Sequence, residues 1–325
     1  MRSGLIALVA GLMTIQGAPQ EPLTLVRSIA LPRVEGRIDH LAYDAATQRL
    51  FVAALGNNTV EVLDLKAGVH LRSLAGFREP QGIAIASDAR SVAVANGQGD
   101  GVQLLKADDY QPRNAVRLGD DADNVRYDAA AKRLYVGFAD GALAEVDPAA
   151  GTLLRQVTLA GHPESFQLER QGPRIFVNVP KAEQIAVVDR TSMRMTSTWP
   201  VTSAGANYPM SLDEANHRLF VGCRRPAKVL VFDTSSGKEI SAFGAVGDTD
   251  DLFYDAARKR LYVSGGDGFI DVVQDQGGNG FLRTARVPTA AGARTSLFVA
   301  EQGRLYLAVP HRGSQQAEIR VYEAR

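Results

Sequence analysis

Four carboxylates occupy equivalent places in this chain: Asp39, Asp123, Glu164 and Asp250 each lie ten residues ahead of a recurring word, Arg-Leu-aromatic-Val or a close variant of it. If the repeat folds the same way each time, the four side chains converge. Clustered carboxylates repel, so either one of them takes up a proton or a cation sits between them. An oxygen-rich set of this kind suits Ca²⁺ or Mg²⁺ better than a soft metal. Arg294 stands at the same offset and offers a built-in counter-ion instead, and Tyr208 shares that offset too. His40, Asn124 and Asp251 follow directly on three of these positions. A second group is basic: Arg224 and Arg225, with Lys181 and His311, belong to loops on the same side of the repeat. Their guanidinium and ammonium groups could grip a carboxylate or phosphate. Of the histidines, His40, His162 and His311 map to this face and His70 and His217 to the opposite one.

The element that must position these groups is the repeat itself. Its words begin at residues 49, 91, 133, 174, 218, 260 and 304, at spacings of 41 to 44. Each copy reads as four short strands. The first ends in a word such as Leu41-Ala42-Tyr43-Asp44, the second is the recurring word, and the third alternates as in Val60-Glu61-Val62-Leu63-Asp64. A glycine turn, Ala67-Gly68 or Ser236-Gly237, leads to the fourth. Four strands per roughly 40–45 residues, repeated radially, predict a β-propeller. The chain is expected to be all-β, with seven four-stranded blades over residues 19–325. The last copy lacks a fourth strand, and Leu25-Val26-Arg27-Ser28-Ile29-Ala30-Leu31 reads as the missing one, so the N-terminal strand is expected to close blade 7.

The pairing of aromatic-Val with Val-x-Val-aliphatic-Asp, seen in Phe51-Val52 with Val60 to Asp64 and in Phe220-Val221 with Val229 to Asp233, resembles the YVTN-repeat, YncE-like propellers of bacteria. That resemblance spans residues 23–325 and implies an exported, usually periplasmic propeller that binds or scaffolds. The Trp-Asp dipeptide of WD40 repeats is absent, since Trp199 precedes Pro200.

Composition narrows the function. Thirty-six basic residues balance thirty-six acidic ones, which removes the charge expected of a duplex-DNA binder. Cys223 is the only cysteine, so there is no intrachain disulfide or cysteine metal cluster. Arg2 precedes the apolar run Leu5 to Met13, too short to span a bilayer, and residues 1–18 read as a signal peptide for a periplasmic or secreted protein. Gly97-Gln98-Gly99 links two strands, not a strand to a helix, and no GxSxG, HExxH or GxxxxGK occurs. Nothing marks a nucleophile with its base. The expected function is therefore binding of a small molecule, peptide or partner protein at the channel-mouth loops. A metal-assisted hydrolase or lyase built on the acidic hub is the alternative.

Overall fold

The computed structural model describes residues 21–99 and 101–325, so the signal-peptide reading of residues 1–18 lies outside the described residues. Seven four-stranded antiparallel sheets form. Blade 1 comprises Leu41–Asp44, Arg49–Ala54, Thr59–Asp64 and Val69–Ala75, and blades 2 to 6 repeat this order. The inner strands touch in sequence from blade 1 to blade 7 and back to blade 1, closing the ring. Blade 7 takes Ser296–Val299, Arg304–Val309 and Glu318–Ala324 from the C-terminal end and Leu23–Ala30 from the N-terminal end. Leu23 pairs with Ala324 and Ile29 with Ile319. This is the expected closure. It converts an open sheet edge into a ladder and buries Leu23 and Ile29.

The recurring word lies on the second strand, where both faces meet neighbouring blades. Leu50, Phe51, Val52, Ala53 and Ala54 are all essentially inaccessible. In blades 1, 4 and 5 the leading arginine pairs in register with the last aspartate of the third strand, as in Arg49 with Asp64 and Arg218 with Asp233. Those aspartates also close the following turn: Asp64 Oδ1 accepts from the Ala67 amide at 2.8 Å, and Asp233 Oδ1 from the Ser236 amide at 2.7 Å.

The alternating third strand is buried on both faces, unlike a half-exposed strand. Its polar position is satisfied from the fourth strand. Glu61 accepts from Ser73 at 2.6 Å and lies 2.7 Å from His70, and Asp271 accepts from Arg286 at 2.7 Å. Burial without such partners would be costly. The fourth strands form the rim and leave Leu25, Leu71, Leu153 and Leu282 exposed. Among the described residues no helix is long and apolar enough to cross a membrane.

Candidate functional site

A repeated backbone clamp brings the offset residues to the channel mouth. The Asp39 amide donates to Ala53 O at 2.7 Å and the Ala53 amide to His40 O at 3.0 Å. Asp123 and Asn124 make the same two bonds with Gly137, and Glu164 and Ser165 with Asn178. Blade 2 has Gly82 just after this offset; a Cβ there would stand 2.2 Å from the Asp123 carbonyl oxygen, so only glycine allows the approach.

The four carboxylates do not share one environment. Asp250 is held by two arginines, Arg224 Nη2 to Oδ1 at 2.6 Å and Arg294 Nε to Oδ2 at 2.9 Å. Arg294 also binds Asp248, at 3.0 Å, and Arg224 lies with its guanidinium 3.9 Å from the centre of the Tyr208 ring. Asp39 is buried and bound by Arg37 at 2.8 Å. Arg37 is held above its ordinary value: burial opposes this, and Asp39, Asp250, Asp123 and Glu164 together outweigh it. One arginine therefore serves the whole mouth.

Beside them, His40 places Nδ1 3.5 Å from Asp251 and Nε2 3.7 Å from Asp39. Burial favours its neutral form, but those carboxylates prevail and lift it to about 10. Asp251 also accepts from the Ser296 amide at 2.8 Å. Asn124 Nδ2 lies 3.3 Å from His40 Nε2, while its Oδ1 is buried without a partner. A protonated imidazole donates from both nitrogens, which calls for the Asn124 oxygen at Nε2 and supplies the missing partner. Asp39 is pushed up to about 6, chiefly by burial against the pull of His40 and Arg37.

The other half is different. Among the described residues Asp123 and Glu164 have no arginine or lysine within ion-pair distance, and neither side chain accepts a hydrogen bond. Their near cation is His162, whose Nε2 stands 3.7 Å from Asp123 Oδ2. His162 Nδ1 donates to Ala139 O at 2.6 Å and lies 3.2 Å from Asp121. Burial pulls His162 down, and Asp123, the Ala139 carbonyl and Asp121 raise it to about 9. Glu164 is pushed up to about 8, first by burial and then by Asp123. Arg126, on the inner strand of blade 3, is lowered by burial and sits over the Phe166 ring with no carboxylate at ion-pair distance among the described residues.

His162 and Glu164 also line a cavity of about 1030 Å³ between blades 4 and 5, with Lys181, Glu183, Tyr208 and Arg225. The expected set of Asp39, Asp123, Glu164 and Asp250 thus divides. Arginines pair with Asp39 and Asp250, while among the described residues Asp123 and Glu164 are grouped with His162 and have no arginine partner at ion-pair distance. His311 pairs instead with exposed Glu35 at 2.7 Å, away from these groups. Cys223 is buried in apolar surroundings that push its thiol up to about 12, which makes it inert.

Sequence reasoning missed Arg37, Asp121 and Asp248, and grouped His162 only with His40 and His311. The signal was present. These four residues stand two positions before Asp39, Asp123, Asp250 and Glu164, a second constant offset in the repeat. Glu79, Asp121, Ala206 and Asp248 at this earlier offset all adopt positive φ, between 51° and 57°.

No family model matches the chain. The uncharacterized protein YncE of Salmonella typhimurium is 23% identical over 238 residues, covering 68% of this chain and 67% of the relative, and YncE of Salmonella typhi matches equally. This is a weak homology that agrees with the resemblance of the repeats. Solved structures share the fold at lower identity. A chain of the mitotic checkpoint complex aligns with a TM-score of 0.78 at 12% identity over 99% of both chains. The WD40 repeats of RRP9 align at 0.78 and 11%, covering 92% of this chain and 97% of that one. Kuenenia stuttgartiensis hydrazine synthase aligns at 0.74 and 14%, covering 85% and 94%. The propeller architecture is therefore shared although the Trp-Asp dipeptide is absent.

Proposed function

We propose that this chain is an exported, periplasmic binding propeller that takes a small polar molecule or a peptide end carrying an anionic group. The ligand enters the cavity between blades 4 and 5. One observation carries this reading: a cavity of about 1030 Å³ opens beside the mouth and gathers Lys181, Arg225, Tyr208 and His162 on its wall. Lys181 and Arg225 form no ion pair among the described residues, so both cations are available to a ligand. Arg224 holds one face of Tyr208 and so fixes the ring as part of the wall. A concave site with a few convergent polar groups is the usual form of a small-molecule site. The likeness to a chain of a multiprotein assembly supports binding as the general role. Export rests on the sequence of residues 1–18.

The test is a thermal-shift screen of carboxylates, amino acids and short peptides, followed by calorimetry on each hit. A true hit loses at least tenfold in affinity in the Lys181→Ala, Arg225→Ala double variant. Hits that bind the double variant equally would refute the cavity as the site. Fractionation of the native host places the mature chain in the periplasm if the export reading holds, and in the cytosol if it does not.

A further inference from the structure

The unpaired half of the mouth has the donor set of a metal site. We infer that Asp123, His162 and Glu164 bind one divalent first-row transition ion, Zn²⁺ or Mn²⁺, at the inner end of the cavity. Each of the three offers a ligand atom, and these atoms all lie within 4.8 Å of one another. Ligands of a tetrahedral zinc lie roughly 3.3 Å apart, a difference the rotatable side chain of Glu164 can close. His162 is already oriented. Its Nδ1 is committed to Ala139 O at 2.6 Å, with Asp121 at 3.2 Å, which leaves Nε2 facing Asp123. A ring nitrogen fixed by a carbonyl or carboxylate is the usual support of a histidine ligand.

A second observation points the same way. The Asp123 side chain is nine-tenths buried, yet among the described residues it accepts no hydrogen bond and has no partner nearer than His162 at 3.7 Å. Two of its sister carboxylates at the same offset are each held by arginine, at 2.8 Å for Asp39 and 2.6 Å for Asp250, although Asp39 Oδ1 and Asp250 Oδ2 accept no hydrogen bond. A buried carboxylate whose oxygens accept no hydrogen bond keeps its lone pairs open to a cation. One imidazole with two carboxylates favours zinc or manganese over calcium, which takes six to eight oxygens. Asp123 is buried, while His162 and Glu164 reach the cavity wall, so remaining coordination positions open onto the cavity. The inference stands on these three side chains and does not require the organic ligand proposed above.

The experiment is calorimetric titration of chelator-treated protein with Zn²⁺, Mn²⁺ and Ca²⁺ separately. The expected result is one Zn²⁺ or Mn²⁺ per chain, with Ca²⁺ at least tenfold weaker. His162→Ala and Glu164→Gln should each weaken binding tenfold or more, whereas Arg225→Ala should leave it unchanged even if it abolishes binding of an organic anion. Each variant is first checked for native melting. On the unaltered protein, Co²⁺ should produce visible ligand-field absorption that Zn²⁺ abolishes, a readout that needs no variant. Absence of saturable binding, or tight binding that His162→Ala leaves intact, would overturn the site.

Discussion

On the side of blades 5 to 1, Asp250 lies between Arg224 and Arg294, and Asp39 rests against Arg37. On the side of blades 3 and 4, Asp123 and Glu164 are grouped with His162 and have no arginine or lysine at ion-pair distance among the described residues. All four carboxylates occupy one repeat offset and are presented at the same rim of the ring, so the backbone does not distinguish the two sides. The partners do. Where arginine is supplied, the charge is internally neutralised and the carboxylate becomes structural. Where it is withheld, the carboxylate keeps its ligating capacity and sits beside the cavity. A symmetric ring thus acquires a direction from residues at a neighbouring offset.

The comparison makes opposite demands on mutation. Arg224→Ala removes the partner of Asp250 Oδ1 and the cation stacked on Tyr208. Arg294 remains, so the expected cost is about 2–4 kcal/mol, below the full price of stripping a buried pair. Urea unfolding reads it, and a loss under about 0.5 kcal/mol would show that the arginine side is not a true ion-pair network.

The pH dependence is the next largest effect. His40, raised to about 10, and His162, raised to about 9, bind protons more tightly folded than unfolded. Their contribution is complete below the ordinary value near 6.5 and is lost as pH climbs through the folded values. Glu164 at about 8 and Asp39 at about 6 act in the same sense, stabilising in acid and losing that contribution as pH rises. Asp123, whose burial is outweighed by His162, His40 and Arg37 so that it is held below its ordinary value, opposes them only on strong acidification. Stability should therefore fall steadily from pH 6.5 to 10, and the melting temperature with it. His162→Asn should flatten the portion near pH 9. A profile rising over this range would contradict the account.

On the unpaired side, Glu164→Gln removes a carboxyl that burial and Asp123 already disfavour as an anion. Stability of the metal-free protein should stay the same or rise by up to about 1 kcal/mol. A clear loss would mean that an unrecognised partner holds Glu164. The smallest effect belongs to His311→Ala. Its pair with exposed Glu35 is a surface contact, and the change should stay within about 0.5 kcal/mol in denaturant unfolding.

Much of the fold was legible because propeller packing writes itself into every copy. Arg49, Leu50, Phe51 and Val52 recur because each second strand is buried on both faces and, in blades 1, 4 and 5, the leading arginine pairs with the aspartate that ends the third strand. Leu25 to Leu31 could be recognised as a detached fourth strand by likeness to its counterparts. The site was legible only as positions. Asp39 and Asp123 look alike in sequence, and what separates them is Arg37, present in one copy and absent from the other. Pairing of Arg224 and Arg294 with Asp250 joins three blades, a contact between loops that no single repeat encodes. The burial of Glu61 was hidden for a different reason, since its partners His70 and Ser73 come from the fourth strand of the same blade.

The division of the mouth can be read directly by anomalous diffraction from crystals of the protein soaked in Zn²⁺. The account predicts one strong peak between Asp123, His162 and Glu164 and none between Asp39 and Asp250, where Arg37, Arg224 and Arg294 already neutralise the charge. A peak on the Asp39 and Asp250 side, or no peak at the three ligands, would contradict it.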